Sequence, residues 1–284
     1  MKIELASHIG FCNGVTKSIN ETKKIISKNN NIYSLGDIVH NDQVINELKN
    51  KGLKIIDNLP NESCEVIIRA HGVSKQIYEE AKKKSINLID LTCPKVLAIH
   101  KLAEKLKDDY FIVLVGKKRH PEIIGTISYC GNNSIIIEDE KDINDLKINS
   151  DKIAIISQTT YSLEKFEKIC TLIKEKYNNK KIKIYNTICS ATKERQEEVK
   201  RLAKKVDAMV IIGDKKSSNT HKLYELSKQI NNNTFFIEND LNIPNLKIFN
   251  TIGISAGAST PLEYVNIVVE KIKNWCEPRL GDIK

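Results

Sequence analysis

Apolar, β-rich runs alternate with 3.6-periodic helical stretches along nearly the whole chain, and no other feature restricts the fold so much. The alternation predicts an α/β protein with mostly parallel sheets. Strand-to-helix turns recur at Cys12, His40, His71, Cys93, His120–Glu122, Thr159–Thr160, Cys189, Ser217–Asn219 and Ser259–Thr260. They fall into three sets, each opening with a cysteine. The expected organisation is three similar small α/β domains, at 1–92, 93–188 and 189–284. The short runs SIIIED and TFFIEN belong at sheet edges. In open α/β sheets ligands bind beyond the carboxyl ends of the strands, where helix N-termini offer free N–H groups and partial positive charge. Nearly every chemically capable candidate lies at such a turn, and three domains with inward-pointing strand ends would gather them at one centre.

The chain has 284 residues, 40% hydrophobic and 29% charged, in the ordinary range for a soluble globular protein. No apolar run approaches the ~18 residues that a membrane-spanning helix needs. The segment MKIELASHIG lacks a basic-then-apolar export pattern. Seven cysteines without compact spacing fit a reducing compartment, so a cytoplasmic location is expected. The formal charge is +9, yet only Arg69, Arg119, Arg195, Arg201 and Arg279 are arginines among 45 basic residues. With aromatics at 6%, the lysine excess reads as solvated helix faces rather than a nucleic-acid interface.

Cys12, Cys93 and Cys189 each stand where a strand runs into a helix, where the helix N-terminus favours thiolate. Three thiolates suit an iron–sulfur cluster with one iron left open, or a zinc with one open position. Cys64, Cys130, Cys170 and Cys276 read as ordinary packing residues, as isolated cysteines usually are. His40, His71 and His120 are candidate anion or metal ligands, whereas His8, His100 and His221 lack the pattern. Ser217, Ser218, Asn219, Ser259 and Thr260 are natural helix caps, and the same exposed donors suit a phosphate. Glu122 follows Pro121 in the first turn of its helix. It is a candidate proton donor or base, besides complementing the helix dipole. A zinc hydrolase or dehydratase, and a non-catalytic cluster-bearing sensor of nucleic acid, use the same residues as alternatives.

Taken together, GFCNGV, VHN, RAHGV, TCPKV, HPEIIGT, SQTT, TICSAT with the following RQ, SSN and AGASTP resemble the 4-hydroxy-3-methylbut-2-enyl diphosphate reductase family. The resemblance runs in order from Cys12 to Pro261. It implies three α/β domains in a pseudo-threefold arrangement around a central [4Fe–4S] cluster held by Cys12, Cys93 and Cys189. One open iron would act as a Lewis acid on the substrate hydroxyl. It further implies that His40, His71, His120, Ser217, Ser218, Asn219 and Ser259 hold a diphosphate. Glu122 would relay a proton, Thr159 would place the hydroxyl, and ferredoxin or flavodoxin would donate electrons. Lys95 and Thr220 depart from the usual pattern without removing a ligand. The basic tail after Pro278 carries no motif.

Overall fold

A computed structural model describes residues 1–29, 31–238 and 243–276, with the side chains of Trp275 and Cys276 excepted. The tail after Pro278 and the end of TFFIEN lie outside the described residues. The chain begins with β1 (Lys2–Leu5) and α1 (Asn13–Ile26). Next come β2 (Ile32–Leu35), α2 (Asp42–Asn50), β3 (Leu53–Ile56), β4 (Glu65–Ile68), α3 (Lys75–Lys83) and β5 (Asn87–Asp90). They are followed by α4 (Pro94–Leu106), β6 (Phe111–Val115), α5 (Pro121–Ile127), β7 (Ser134–Ile137), β8 (Lys152–Ser157), α6 (Leu163–Lys176) and β9 (Lys181–Ile184). The last elements are α7 (Ser190–Ala203), β10 (Ala208–Ile212), α8 (Ser218–Ile230), β11 (Thr234–Ile237), β12 (Thr251–Ala256) and α9 (Leu262–Cys276).

Three four-stranded sheets result, all parallel in their pairings, with orders β3-β2-β4-β5, β7-β6-β8-β9 and β1-β12-β10-β11. The expected α/β class with parallel sheets is present. Read from the other end, the third sheet is β11-β10-β12-β1, so all three share one order: second strand, first, third, fourth. The fourth place in the third sheet is filled by the N-terminal strand, with Lys2 opposite Thr251 and Leu5 opposite Ile254. The sequence grouping assigns Lys2–Leu5 to the first third of the chain. Its sheet is instead that of the last third, because a four-residue run carries no mark of which strand it will pair with.

Burial explains the strand compositions. The central strands β6, β8 and β10 are apolar and buried nearly throughout, as strands covered by helices on both faces must be. The fourth strands β5, β9 and β1 (NLID, KIKI, KIEL) lie at sheet edges and are half exposed, with charges that discourage further pairing. SIIIED and TFFIEN supply β7 and β11, both at edges as expected. Between the β6–β9 sheet and α6, Phe166, Ile169 and Ile173 pack with Ile153 and Ile155. Each such side chain contributes about 1.5–3 kcal/mol by leaving water.

By contacts, the chain forms two compact units. One comprises Met1–Asn13, His40–Val44 and the chain from Ser190 onward, and the other Gly14–Val39 with Ile45–Cys189. The first carries the sheet of β1, β10, β11 and β12; the second carries the other two sheets. Among the described residues no helix is long and apolar enough to cross a membrane.

Candidate functional site

The shared strand order sorts the turns. In the two sheets built from β2–β9 the first and third strands are neighbours whose connections leave in opposite directions, which opens a crevice at their carboxyl ends, and β10 and β12 hold the same places in the third sheet. These strands lead to His40 and His71, to His120 with Glu122 and Thr159, and to Ser217–Asn219 and Ser259. Each fourth strand leads to a cysteine: β5 to Cys93, β9 to Cys189 and β1 to Cys12.

In the unit containing Gly14–Val39 and Ile45–Cys189, His120 is the N-cap of α5 and Pro121 its first helical residue. The His120 Nδ1 accepts the N–H of Glu122 at 3.2 Å. That bond leaves the neutral ring's proton on Nε2. The His71 ring meets the His120 ring edge-on, with centroids 5.5 Å apart. Glu122 is buried, and its carboxylate is gripped at both oxygens. Thr159 N–H donates to Oε1 and Thr159 Oγ1 donates to Oε2, each at 2.6 Å. Burial pushes the Glu122 carboxyl up to about 7, against the opposing pull of the two Thr159 donors. A carboxyl group near neutrality is suited to giving or taking a proton. Cys189 is tied to the same turn, because its N–H donates to the Thr159 carbonyl at 2.9 Å.

Cys93 is the N-cap of α4, with Pro94 following, and its N–H donates to Ala70 O at 3.0 Å beside His71. A Cβ on Gly14 would lie 2.7 Å from the Cys93 Sγ. Only glycine therefore leaves that thiol its space.

In the other unit, Cys12 N–H donates to Ala258 O at 3.1 Å, one residue before Ser259. Ser217 caps α8, its hydroxyl accepting the Thr220 N–H at 3.3 Å. Ser259 Oγ lies 3.0 Å from the His40 carbonyl, to which it donates, and 3.4 Å from Ser217 Oγ. A Cβ on Gly257 would overlap Thr220 Oγ1, so the Ser259 turn packs directly on α8. Asn219 is 4% exposed, and neither its Oδ1 nor its Nδ2 has a partner among the described residues. Such a group is costly unless a ligand satisfies it. Ser218 is also buried, in the first turn of α8. The His40 segment is fastened here by residues the sequence did not single out. Asp42 N–H donates to Asp214 Oδ2 at 2.9 Å, and Lys216 Nζ pairs with Asp42 at 2.8 Å. Asp and Lys at turns read as solvated polar residues, and nothing in their spacing marks this pairing.

None of Cys12, Cys64, Cys93, Cys130, Cys170 and Cys189 is in a disulfide. Cys130 and Cys170 are buried among apolar side chains, and burial pushes each thiol up to about 12. Cys12, Cys93 and Cys189 are only half buried, at helix starts. Half-buried thiols at helix starts, with Gly14 leaving space at the Cys93 sulfur, are of the type that ligates an iron–sulfur cluster. His100 stands apart: it is stacked on Tyr129 at 4.2 Å within the core, and burial pushes its ring down to about 4.

A family profile described as LytB protein matches residues 3–273. The chain belongs to the LytB family. Curated LytB-family relatives named 4-hydroxy-3-methylbut-2-enyl diphosphate reductase include one from Alkaliphilus oremlandii, 41% identical over 96% of this chain and 100% of that protein. Another, from Aquifex aeolicus, is 40% identical over 98% of each. Among solved structures, the E-1-hydroxy-2-methyl-but-2-enyl-4-diphosphate reductase from Plasmodium falciparum superposes with TM-score 0.89. It is 30% identical and covers 100% of this chain and 95% of its own. A structure described as (E)-4-hydroxy-3-methyl-but-2-enyl diphosphate reductase, the terminal enzyme of the non-mevalonate pathway, gives TM-score 0.70 and 38% identity. That match covers 96% of this chain and 100% of the other.

Proposed function

We propose that this chain is a 4-hydroxy-3-methylbut-2-enyl diphosphate reductase. It carries out the two-electron reductive dehydroxylation of (E)-4-hydroxy-3-methylbut-2-enyl diphosphate to isopentenyl and dimethylallyl diphosphates, in the cytoplasm, with ferredoxin or flavodoxin as donor. The observation that carries the reading is the buried Glu122 carboxyl, held by Thr159 and raised towards neutrality, in a LytB-family chain.

Cys12, Cys93 and Cys189 are the residues to hold a [4Fe–4S] cluster. When bound, that group supplies electrons one at a time and an iron with an open position of Lewis-acid character. The remaining roles fall to the chain itself. The α8 N-terminus with Ser217, Ser218 and Asn219 offers neutral donors to a diphosphate, and Ser259 joins them by turning its hydroxyl away from the His40 carbonyl. His120 offers its Nε2–H, and His40 and His71 add further ring donors. Charge-assisted bonds of about 1.5–3 kcal/mol each let the remote diphosphate orient the reacting carbon. Protonated Glu122 gives its proton to the departing hydroxyl, which leaves as water, while the Thr159 hydroxyl orients that oxygen. The reaction balances as alcohol plus two electrons and two protons giving hydrocarbon chain and water, the second proton going to carbon. A division of the chain near 92 and 188 fits the three sheets, provided β1 is counted with the third.

The test is protein purified without oxygen, assayed for iron, sulfide and visible spectrum, then for turnover with a chemical reductant. A brown protein near four irons per chain, converting the hydroxy-diphosphate to both products, supports the reading. A colourless zinc protein after fair cluster reconstitution, or a cluster protein without turnover, overturns it.

A further inference from the structure

The loop that carries Cys12 is held by two charged side chains of α7 for which the reaction provides no role. Residues 6–12 leave β1 as an irregular strap, so their backbone groups need partners from elsewhere. Glu198, 8% exposed, takes two of them: Ser7 N–H donates to Oε1 at 2.6 Å and His8 N–H to Oε2 at 2.9 Å. The His8 ring adds a third contact, with Nδ1 at 3.1 Å from Oε2. Arg195, 5% exposed, reaches the same strap, its Nη2 donating to the Gly10 carbonyl at 2.9 Å, while its Nη1 donates to Ala191 O of its own helix at 3.2 Å. Acceptor and donor are thus matched to the strap's polarity at successive points, and the Cys12 N–H itself is taken by Ala258. Helix α7 begins at Ser190, directly after Cys189 in the chain.

We propose that Glu198 and Arg195 are positioning residues for the Cys12 thiolate, forming a clasp that presets the strap for cluster binding. The proposal rests on the assignment of Cys12 as a cluster ligand. Burying a carboxylate and a guanidinium to fix one short strap is otherwise an expensive use of charge, since each must be desolvated. A ligand loop with fixed backbone avoids the entropy of ordering it when iron arrives.

Two readings on the same proteins test this. The variants are Glu198→Gln, Arg195→Met and Arg195→Lys, with exposed Glu197→Gln as control. In the reconstituted holoprotein, iron loss to a chelator is expected to accelerate about 10- to 100-fold in Glu198→Gln, as for supporting partners of metal ligands generally. Arg195→Lys should recover part of what Arg195→Met loses, and Glu197→Gln should match wild type. In the metal-free protein, per-cysteine alkylation should speed up selectively at Cys12, with Cys93 and Cys170 unchanged. If Glu198→Gln does not fold, Arg195→Lys against Arg195→Met carries the comparison. Wild-type iron release with unchanged Cys12 alkylation overturns the clasp. So does a uniform rise at all cysteines, which marks general loosening. If wild type itself never binds iron, the functional assignment falls, while Cys12-selective alkylation still decides whether the clasp exists.

Discussion

Glu122 shows how a side chain can be both fixed and chemically live. Thr159 holds both carboxylate oxygens, and its two donors favour the ionised form. Burial acts in the opposite direction and prevails, giving a group near 7. The Glu122→Gln variant should keep its iron and lose about 10²–10⁴-fold in kcat, the usual worth of a positioned acid. Its remaining rate should also lack the alkaline fall expected of wild type above about 7. The same shift has a stability signature. Between the ordinary carboxylate value and about 7 the unfolded chain has released this proton and the folded chain keeps it. Wild-type stability therefore falls as pH rises through that window, and chemical denaturation of Glu122→Gln should show a weaker fall. Replacing Thr159 by valine removes one donor to the charged form, so the alkaline limb of the rate profile should move to higher pH. An unchanged or lowered limb would exclude Thr159 from tuning the acid. Glu122 was legible in the sequence because a carboxylate after His-Pro opens a helix. Glu198 was not, since a glutamate in an EE pair on a helix reads as solvated until its long-range partners are known.

At the scale of elements, the turns were legible and their phase was not. Uniformly apolar runs marked β6, β8 and β10, and Cys-Pro and His-Pro marked the starts of α4 and α5. The sequence grouped each cysteine with the turns that follow it; in the sheets each cysteine follows a fourth strand and so closes a set of four. Nothing local separates these phasings, because a repeated pattern reads alike from any starting point. GLKII went unnoticed as β3, its apolar residues too few to stand out. Two predictions belong here. Serine at Cys12, Cys93 or Cys189 should each lower iron content, whereas Cys170→Ser should not; equal iron in all four proteins would defeat the ligand assignment. Gly14→Ala, on the first turn of α1, would press a methyl against the Cys93 sulfur. It should reduce cluster loading while leaving helix content by circular dichroism unaltered.

For the molecule as a whole, a formal charge of +9 makes a prediction that the site does not. Encounter with an acidic donor protein is steered by opposite charge and is screened as the Debye length contracts from ~30 Å to ~8 Å between low and physiological salt. Turnover driven by such a donor should therefore slow with added salt, and turnover driven by a small uncharged reductant should hold steady. Equal salt response in both assays would remove the lysine excess from any part in donor docking. The return of β1 to β12 also sets a schedule. Lys2–Leu5 are synthesised well ahead of their partners in the sheet, which begin at Thr251. At about 5–20 residues per second, that strand waits on the order of tens of seconds for its neighbour. Through that interval the nascent chain carries an unpaired strand a few residues ahead of Cys12, so chaperone shelter and reducing conditions matter for this strand until Thr251–Ala256 emerge.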